Sequence, residues 1–208
     1  MVQPHLRIDK IEKYVLLPGD PGRIDKILKY LTETKEVNAN REFRTCSGKY
    51  NGINLSIVSS GIGCPSAAIA VEELAKAGAK VIIRIGTCGG LLKEMQAGDI
   101  VIPNAAMCFD GTTREYQPDI KKIEADNEVC EALVLAAKKM GVRYFVGVDR
   151  THDAFYESTE NFVKLAGSGL ISSEMECSAV FLVSKMRNLK AGAILVVNTP
   201  EAPEDGQE

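Results

Sequence analysis

The stretch "PSAAIAVEELAKAGAKVIIRIGTCGG", residues 65–90, joins a helix to a buried strand, which is the repeating unit of an α/β domain. Pro65 near the first turn, apolar residues at helical spacing and Gly78 as a stop predict the helix. The run "KVIIRIG" that follows is short, apolar and bounded by glycine, so it predicts a strand. Arg84 places a permanent cation inside this strand. Its burial requires an anionic partner.

The same alternation of short apolar runs and longer amphipathic ones continues on both sides of this stretch. No internal repeat or low-complexity linker divides the chain, so we predict a single domain over residues 1–208. The predicted strands are "YVLLPG", "GDIVIPNAAM", "RYFVGVDR" and "AGAILVVN", and "REFRTCSGKYNGINLSIVSS" predicts a hairpin that turns at Tyr50-Asn51-Gly52. The other predicted helices are "GRIDKILKYL", "NEVCEALVLAAKKMG" and "SSEMECSAVFLVSKM", the last with its serines as caps.

Net charge, hydropathy and cysteine spacing argue against several classes of binding partner and of cellular location. A net charge of −3 and the lack of a Lys/Arg block argue against nucleic-acid and membrane-surface partners. The start "MVQPHLRIDK" lacks a signal-peptide core, and no run reaches the ~20 apolar residues of a membrane span. Six scattered cysteines without a C-x-x-C pair argue against zinc sites and disulfides. We therefore expect a cytoplasmic protein.

The loop "LPGDPGR" is the first candidate for anion binding. Its glycines let backbone N–H groups approach a ligand, and Arg23 adds a fork of donors suited to phosphate. The alternative is an ordinary turn between strand and helix, with Arg23 facing water. The loop alone does not decide between them.

Arg84 and Thr87 form the second candidate, at the expected carboxyl end of a strand, where ligands of open α/β sheets collect. Thr87 can donate its hydroxyl to the anion that Arg84 neutralises. The alternative is a buried ion pair between Arg84 and one of the 28 acidic residues.

Two further motifs each allow more than one interpretation. Gly61-x-Gly63 lacks the third glycine of a dinucleotide-binding motif and follows a hairpin strand, so that function is weakly supported. Glu174-Met175-Glu176 places two carboxylates beside a thioether at an expected helix start. They fit either a solvated acidic first turn or a site where carboxylates accept from sugar hydroxyls while methionine packs on a ring.

Several motifs in order and spacing resemble the trimeric and hexameric nucleoside phosphorylases, and among them the uridine phosphorylases most. They span about His5 to Asn198 and read "GDPGR", "NREF", "GIGCPS-AIAVEEL", "RIGTCG", "DGTTREY-P", "DAFY" and "EMEC". The resemblance implies a three-layer α/β domain with a central mixed, twisted β-sheet flanked by helices, as in phosphorylase/hydrolase-like folds. It also implies phosphorolysis: nucleoside and phosphate give ribose 1-phosphate and free base, with no organic cofactor.

The resemblance also implies a site shared between subunits of a hexamer built as a trimer of dimers. Phosphate would be bound by Gly19, Arg23, Arg84 and Thr87, with Arg41 supplied by the neighbouring subunit.

The nucleoside would be bound by the "EMEC" motif and by two aromatic side chains. The residues implied are Phe155, Glu174, Met175, Glu176 and a neighbour's His5, which would reach the ribose 5′-hydroxyl. Catalysis would rest on Arg84, Glu176 and Asn198.

Three features favour a pyrimidine base. Thr87 stands where purine enzymes of the family usually have serine, and Asn198 stands where they carry an aspartate. Glu42, Ile62 and Ser66 match the positions that surround an intersubunit potassium ion in uridine phosphorylases.

Three departures oppose that choice. The positions of the uracil-binding Gln and Arg fall near Thr159 and Asn161, and Thr199 stands in place of a later arginine. The sequence also stops at Glu208, before the family's base-side loop and final helix, which leaves two alternatives: a tail omitted from this sequence, or a base pocket more open than usual. The alternatives are a purine nucleoside phosphorylase of the same fold, a water-using nucleosidase and a non-catalytic nucleoside-binding protein.

Overall fold

The computed structural model describes residues 4–156 and 168–200. Residues 199 and 200 are described by their backbone only. Within these ranges the strands form a single sheet. In chain order they are β1 (Tyr14–Pro18), β2 (Thr32–Asn40), β3 (Phe43–Tyr50), β4 (Ile53–Val58), β5 (Val81–Gly90), β6 (Ile100–Cys108), β7 (Lys122–Glu124), β8 (Tyr144–Thr151), β9 (Leu170–Glu174) and β10 (Lys190–Pro200).

Five helices lie in the described ranges, and their ends follow from local sequence. An αL residue ends two of them, Gly78 at φ 108° and Gly141 at φ 66°, as glycine permits. Asp126 caps the helix that Gly141 ends, because its carboxylate accepts a bond of 3.1 Å from the Val129 N–H. The helices are α1 (Gly22–Leu28), α2 (Cys64–Ala77), α3 (Gly111–Tyr116), α4 (Asn127–Met140) and α5 (Cys177–Met186).

The sheet is mixed, and part of it closes on itself. β5 pairs in parallel with β1 and β10 and antiparallel with β9. β9, β8, β6 and β10 then continue the pairing round to β5, while β1, β4, β3 and β2 extend outward. β5 is therefore the central strand of the molecule, which is why every residue of "VIIRIGTCGG" is buried or half-buried.

Helices cover both faces of the sheet. Residues of α2 and α5 form the main core with alternate residues of β1 and β5, such as Leu17 and Ile82. On the opposite face, α1 packs through Ile24 against β3 and β4, and α4 packs through Leu133 against β6. The three-layer α/β fold with a central mixed sheet is confirmed. None of the helices in the described ranges has the length and apolar character needed to cross a membrane.

One prediction about local structure was wrong. Ser172 and Ser173 lie in β9 and do not cap a helix, since α5 begins only at Cys177. The carboxylate of Glu174 accepts from the Cys177 N–H instead, at 3.0 Å. A strand buried on both sides can hold small polar residues when partners are available, and Ser172 donates to Asp149 at 2.6 Å.

Candidate active site

One cavity of about 630 Å³ opens where the ends of β1, β5, β9 and β10 meet the loop after β4. Ten of the predicted site residues line it. These are Gly19, Arg23, Ile62, Arg84, Thr87, Phe155, Glu174, Met175, Glu176 and Asn198. Other residues that line the cavity include Asp20, Gly61, Cys88, Gly89, His152 and Ser173.

The segment after β1 and strand β5 bring a cation and a hydroxyl together at one side of the cavity. Arg23, in the first turn of α1, donates from Nη2 to Oγ1 of Thr87 at 3.4 Å. Gly19 and Gly61 lie so close that a Cβ on Gly19 would stand 3.3 Å from the Gly61 carbonyl oxygen. An arginine fork and a hydroxyl beside the glycine backbone of the loop after β1 form a cradle suited to a small oxyanion.

The anion that meets Arg84 in this structure is a pair of carboxylates. Its Nε donates to Oε2 of Glu174 at 3.0 Å, and its Nη2 donates to Oε2 of Glu176. All three side chains are buried. The structure therefore confirms the alternative of a buried ion pair. Arg84 also lines the cavity, and its contact with phosphate stays a prediction.

Gly86 explains how β5 accommodates a guanidinium. Residues two apart lie on the same face of a strand, so the Arg84 side chain passes over position 86. A Cβ there would stand 2.8 Å from Nη2 of Arg84 and 2.8 Å from Leu195. The spacing Arg-x-Gly in this strand is thus a steric requirement.

Glu176 is held by the loop that carries Gly63. The Gly63 N–H donates to Oε1 of Glu176 at 2.6 Å, while the other oxygen accepts from Arg84. Between the two glutamates, the carbonyl of Met175 accepts from the Cys64 thiol at 3.3 Å. The motif is therefore a short, rigid turn between β9 and α5 rather than a solvated helix start.

Burial and charge act in opposite directions on these acids. Burial raises the pKa of Glu174, but Arg84 and the Thr151 hydroxyl outweigh it and leave that pKa below its usual value. Burial dominates for Glu176, whose pKa is raised although Arg84 opposes the shift. Burial and the charge of Glu174 raise the pKa of Asp149 well above its usual value. These surroundings favour the protonated form of Asp149 and the charged form of Glu174.

The sequence profile of the phosphorylase superfamily matches residues 13–208, almost the whole chain. The chain belongs to the phosphorylase superfamily. The resemblance to nucleoside phosphorylases that the motifs indicated is confirmed.

Among superfamily relatives, a guanosine phosphorylase of Halorubrum lacusprofundi is 37% identical over 94% of this chain and 83% of its own. A uridine phosphorylase of Thermococcus kodakarensis is also 37% identical, over 90% of this chain and 73% of its own. A solved uridine phosphorylase from Vibrio fischeri is 30% identical and superposes with a TM-score of 0.92, covering 98% of this chain and 85% of that one. The relatives therefore include enzymes named for a pyrimidine and for a purine nucleoside.

Two residues predicted to act in a neighbouring subunit of such a phosphorylase do not line this chain's own cavity. His5 is fixed on α2, with its ring nitrogen 2.8 Å from Glu73 and its ring edge against Phe43. Arg41 is exposed at the tip of the β2–β3 hairpin, with φ at 56°. Their contribution to another subunit stays a prediction.

The predicted potassium ligands bring several oxygen donors close together. The Ser66 hydroxyl lies 2.9 Å from a carboxylate oxygen of Glu42 and 2.5 Å from the carbonyl oxygen of Ser60, and Ile62 is exposed nearby. A group of carboxylate, hydroxyl and carbonyl oxygens suits a hard monovalent or divalent cation. The residues present thus fit such an ion.

Sequence reasoning missed His152, which lines the cavity between β8 and Phe155. Its backbone N–H donates to the Glu174 carbonyl at 3.1 Å, so its position is tied to the "EMEC" turn. Its place at the carboxyl end of a predicted strand could have found it. The positions near Thr159 and Asn161, expected to lack the uracil-binding groups, lie outside the described residues.

Proposed function

We propose that this chain is a nucleoside phosphorylase that splits uridine with inorganic phosphate into ribose 1-phosphate and uracil. The observation that carries the proposal is that one cavity joins the Arg23–Thr87 cradle to the Arg84–Glu176 pair. The first suits phosphate and the second suits a sugar hydroxyl. Membership of the phosphorylase superfamily supports the same reaction.

Phosphate is held by Arg23, Thr87 and Arg84, with Arg41 from the adjacent subunit. Binding fixes the attacking oxygen below C1′ and offsets its charge, so that orientation and electrostatics both lower the barrier. A new C1′–O bond forms as the C1′–N1 bond breaks. The electron pair of that bond leaves with the base.

Glu176 accepts hydrogen bonds from the ribose hydroxyls, and Met175 packs on the sugar face. Both lie in the rigid turn after β9, so the sugar meets a preorganised surface. Positive charge that develops at C1′ is stabilised by the bound phosphate dianion. The protein supplies no covalent nucleophile.

The leaving group is met by Asn198 and Phe155. Charge on departing uracil spreads over its carbonyl oxygens, so a neutral hydrogen-bond donor such as the Asn198 amide suffices. This is the reason to prefer uridine, together with Thr87 and the oxygen cluster of Glu42 and Ser66. A potassium ion there would offset the Glu42 charge and tie two subunits together.

A cytoplasmic homo-oligomer, built as a hexamer with shared sites, completes the proposal. The exposed Arg41 and the anchored His5 support the sharing, because neither lines the cavity of its own chain. All six cysteines are free and buried, in keeping with a reducing compartment. Purine phosphorolysis is the second candidate, since a relative at 37% identity is named a guanosine phosphorylase.

The test is base release from uridine, thymidine, inosine and adenosine, each with and without inorganic phosphate. We expect uridine to be cleaved fastest and only when phosphate is present. Faster turnover of inosine would assign the purine function instead. Release without phosphate would indicate a nucleosidase, and binding without release a non-catalytic protein.

A further inference from the structure

The carboxylate of Glu174 is enclosed by hydrogen-bond donors, and its side chain is 1% exposed. Oε1 accepts from the Thr151 hydroxyl at 2.7 Å and from the Cys177 N–H at 3.0 Å. Oε2 accepts from the Glu176 N–H at 2.8 Å and from Nε of Arg84 at 3.0 Å. Every one of these donors belongs to the protein.

A carboxylate offers about four lone-pair sites. Four donors already occupy those of Glu174, so a sugar hydroxyl would have to displace one of them. Glu176 differs, because it accepts only from the Gly63 N–H and from Arg84 among the described residues. Of the two acids, Glu176 alone keeps acceptor capacity for a ligand.

Thr151 binds the carboxylate oxygen of Glu174 that Arg84 does not contact. It is the last residue of β8, lies opposite Glu174 in the parallel pairing with β9, and is fully buried. Its Oγ1 donates to Glu174 and accepts from the Ser178 N–H at 3.0 Å. One hydroxyl thus links β8, the end of β9 and the first turn of α5.

We propose that Thr151 is a positioning residue that acts through Glu174 to fix the direction of the Arg84 guanidinium, and that Glu174 takes no sugar hydroxyl. This inference rests on the proposed function, because it assumes that Arg84 meets phosphate. It replaces the nucleoside-binding role that the resemblance implied for Glu174.

The first test compares Thr151→Val with Thr151→Ser. Valine keeps the shape and removes the hydroxyl, so Arg84 loses its alignment. We expect the phosphate KM, and the dissociation constant for inorganic phosphate in calorimetry, to rise about 10-fold or more. The uridine KM should change by less than about 3-fold. Serine keeps the hydroxyl and should restore most of the phosphate affinity.

Thr45→Val is the matched control, because Thr45 is equally buried but its hydroxyl has no hydrogen-bond partner among the described residues. It should leave phosphate affinity unchanged. A Thr151→Val protein with wild-type phosphate affinity, or one that loses phosphate and uridine equally, overturns the inference.

The second test measures Glu174→Gln and Glu176→Gln on uridine and on 2′-deoxyuridine. Substituting a residue that binds the 2′-hydroxyl lowers activity less on a substrate that lacks this hydroxyl. Substituting a positioning residue lowers activity equally on both substrates. We expect equal penalties for Glu174→Gln and a smaller penalty on the deoxynucleoside for Glu176→Gln. A penalty for Glu174→Gln that shrinks on 2′-deoxyuridine overturns the inference.

The wild-type protein separates the two levels of the claim. If it neither binds inorganic phosphate nor releases base, the proposed function fails and the inference falls with it. If it is active and the Thr151 and Glu174 variants behave otherwise than expected, the inference alone fails.

Discussion

Arg84→Ala is expected to lower kcat/KM for phosphorolysis by about 100-fold or more. The Arg84 guanidinium lines the cavity and is a cation that the phosphate dianion would contact there, and losing one electrostatic contact of this kind costs on that scale. The same change leaves Glu174 and Glu176 facing each other without a counter-charge. The measurement is steady-state uridine phosphorolysis with both substrates varied.

The variant should also unfold more readily, since removing one partner of a buried ion pair costs roughly 3–5 kcal/mol. Activity must therefore be compared with chemical denaturation. Arg187→Ala is the matched control, because Arg187 forms a partly exposed pair with Glu72 away from the cavity. Near-normal phosphorolysis by a folded Arg84→Ala protein would remove Arg84 from the mechanism.

Glu176→Gln is expected to lower kcat/KM for uridine by about 100-fold, the cost of losing one charged transition-state contact. The amide can still accept from the Gly63 N–H, so the turn should survive. It cannot match the carboxylate as an acceptor for ribose hydroxyls, and its NH₂ group would face the Arg84 guanidinium, donor against donor. Substrate kinetics with uridine varied at saturating phosphate measure the effect.

Glu128→Gln provides the matched control for this change. Glu128 lies on the exposed first turn of α4, paired with Lys190, and does not line the cavity. It should retain wild-type kinetics. A Glu176→Gln protein with the same kinetics as the control would show that Glu176 does not bind the sugar.

The elements that could be predicted from the sequence are those with local signals, such as a proline, a glycine or a turn motif. Pro65 and Gly78 bound α2, and the Tyr50-Asn51-Gly52 turn lies between β3 and β4, with Asn51 and Gly52 both at positive φ. β2 was missed because its sequence "TETKEVNAN" is polar and mostly exposed, so it carries no apolar alternation. It forms because β3 offers it a paired edge, which is a tertiary effect.

In the candidate site, too, residues in local motifs could be predicted, whereas contacts between distant parts of the chain could not. Glycine-rich loops and arginines at strand ends were visible in the sequence, and the structure brings ten of the predicted residues to one cavity. The partner of Arg84 was not visible, because Glu174 and Glu176 lie 90 and 92 residues away along the chain. Thr151 was missed as well, because a single threonine at the end of a strand forms no sequence motif.

Phosphorus NMR of the protein mixed with uridine and inorganic phosphate tests the central claim most directly. We predict that the phosphate resonance declines while a sugar-phosphate ester resonance grows at the rate at which uracil appears, because phosphate is the attacking group. Uracil release with free ribose and unchanged phosphate would contradict phosphorolysis.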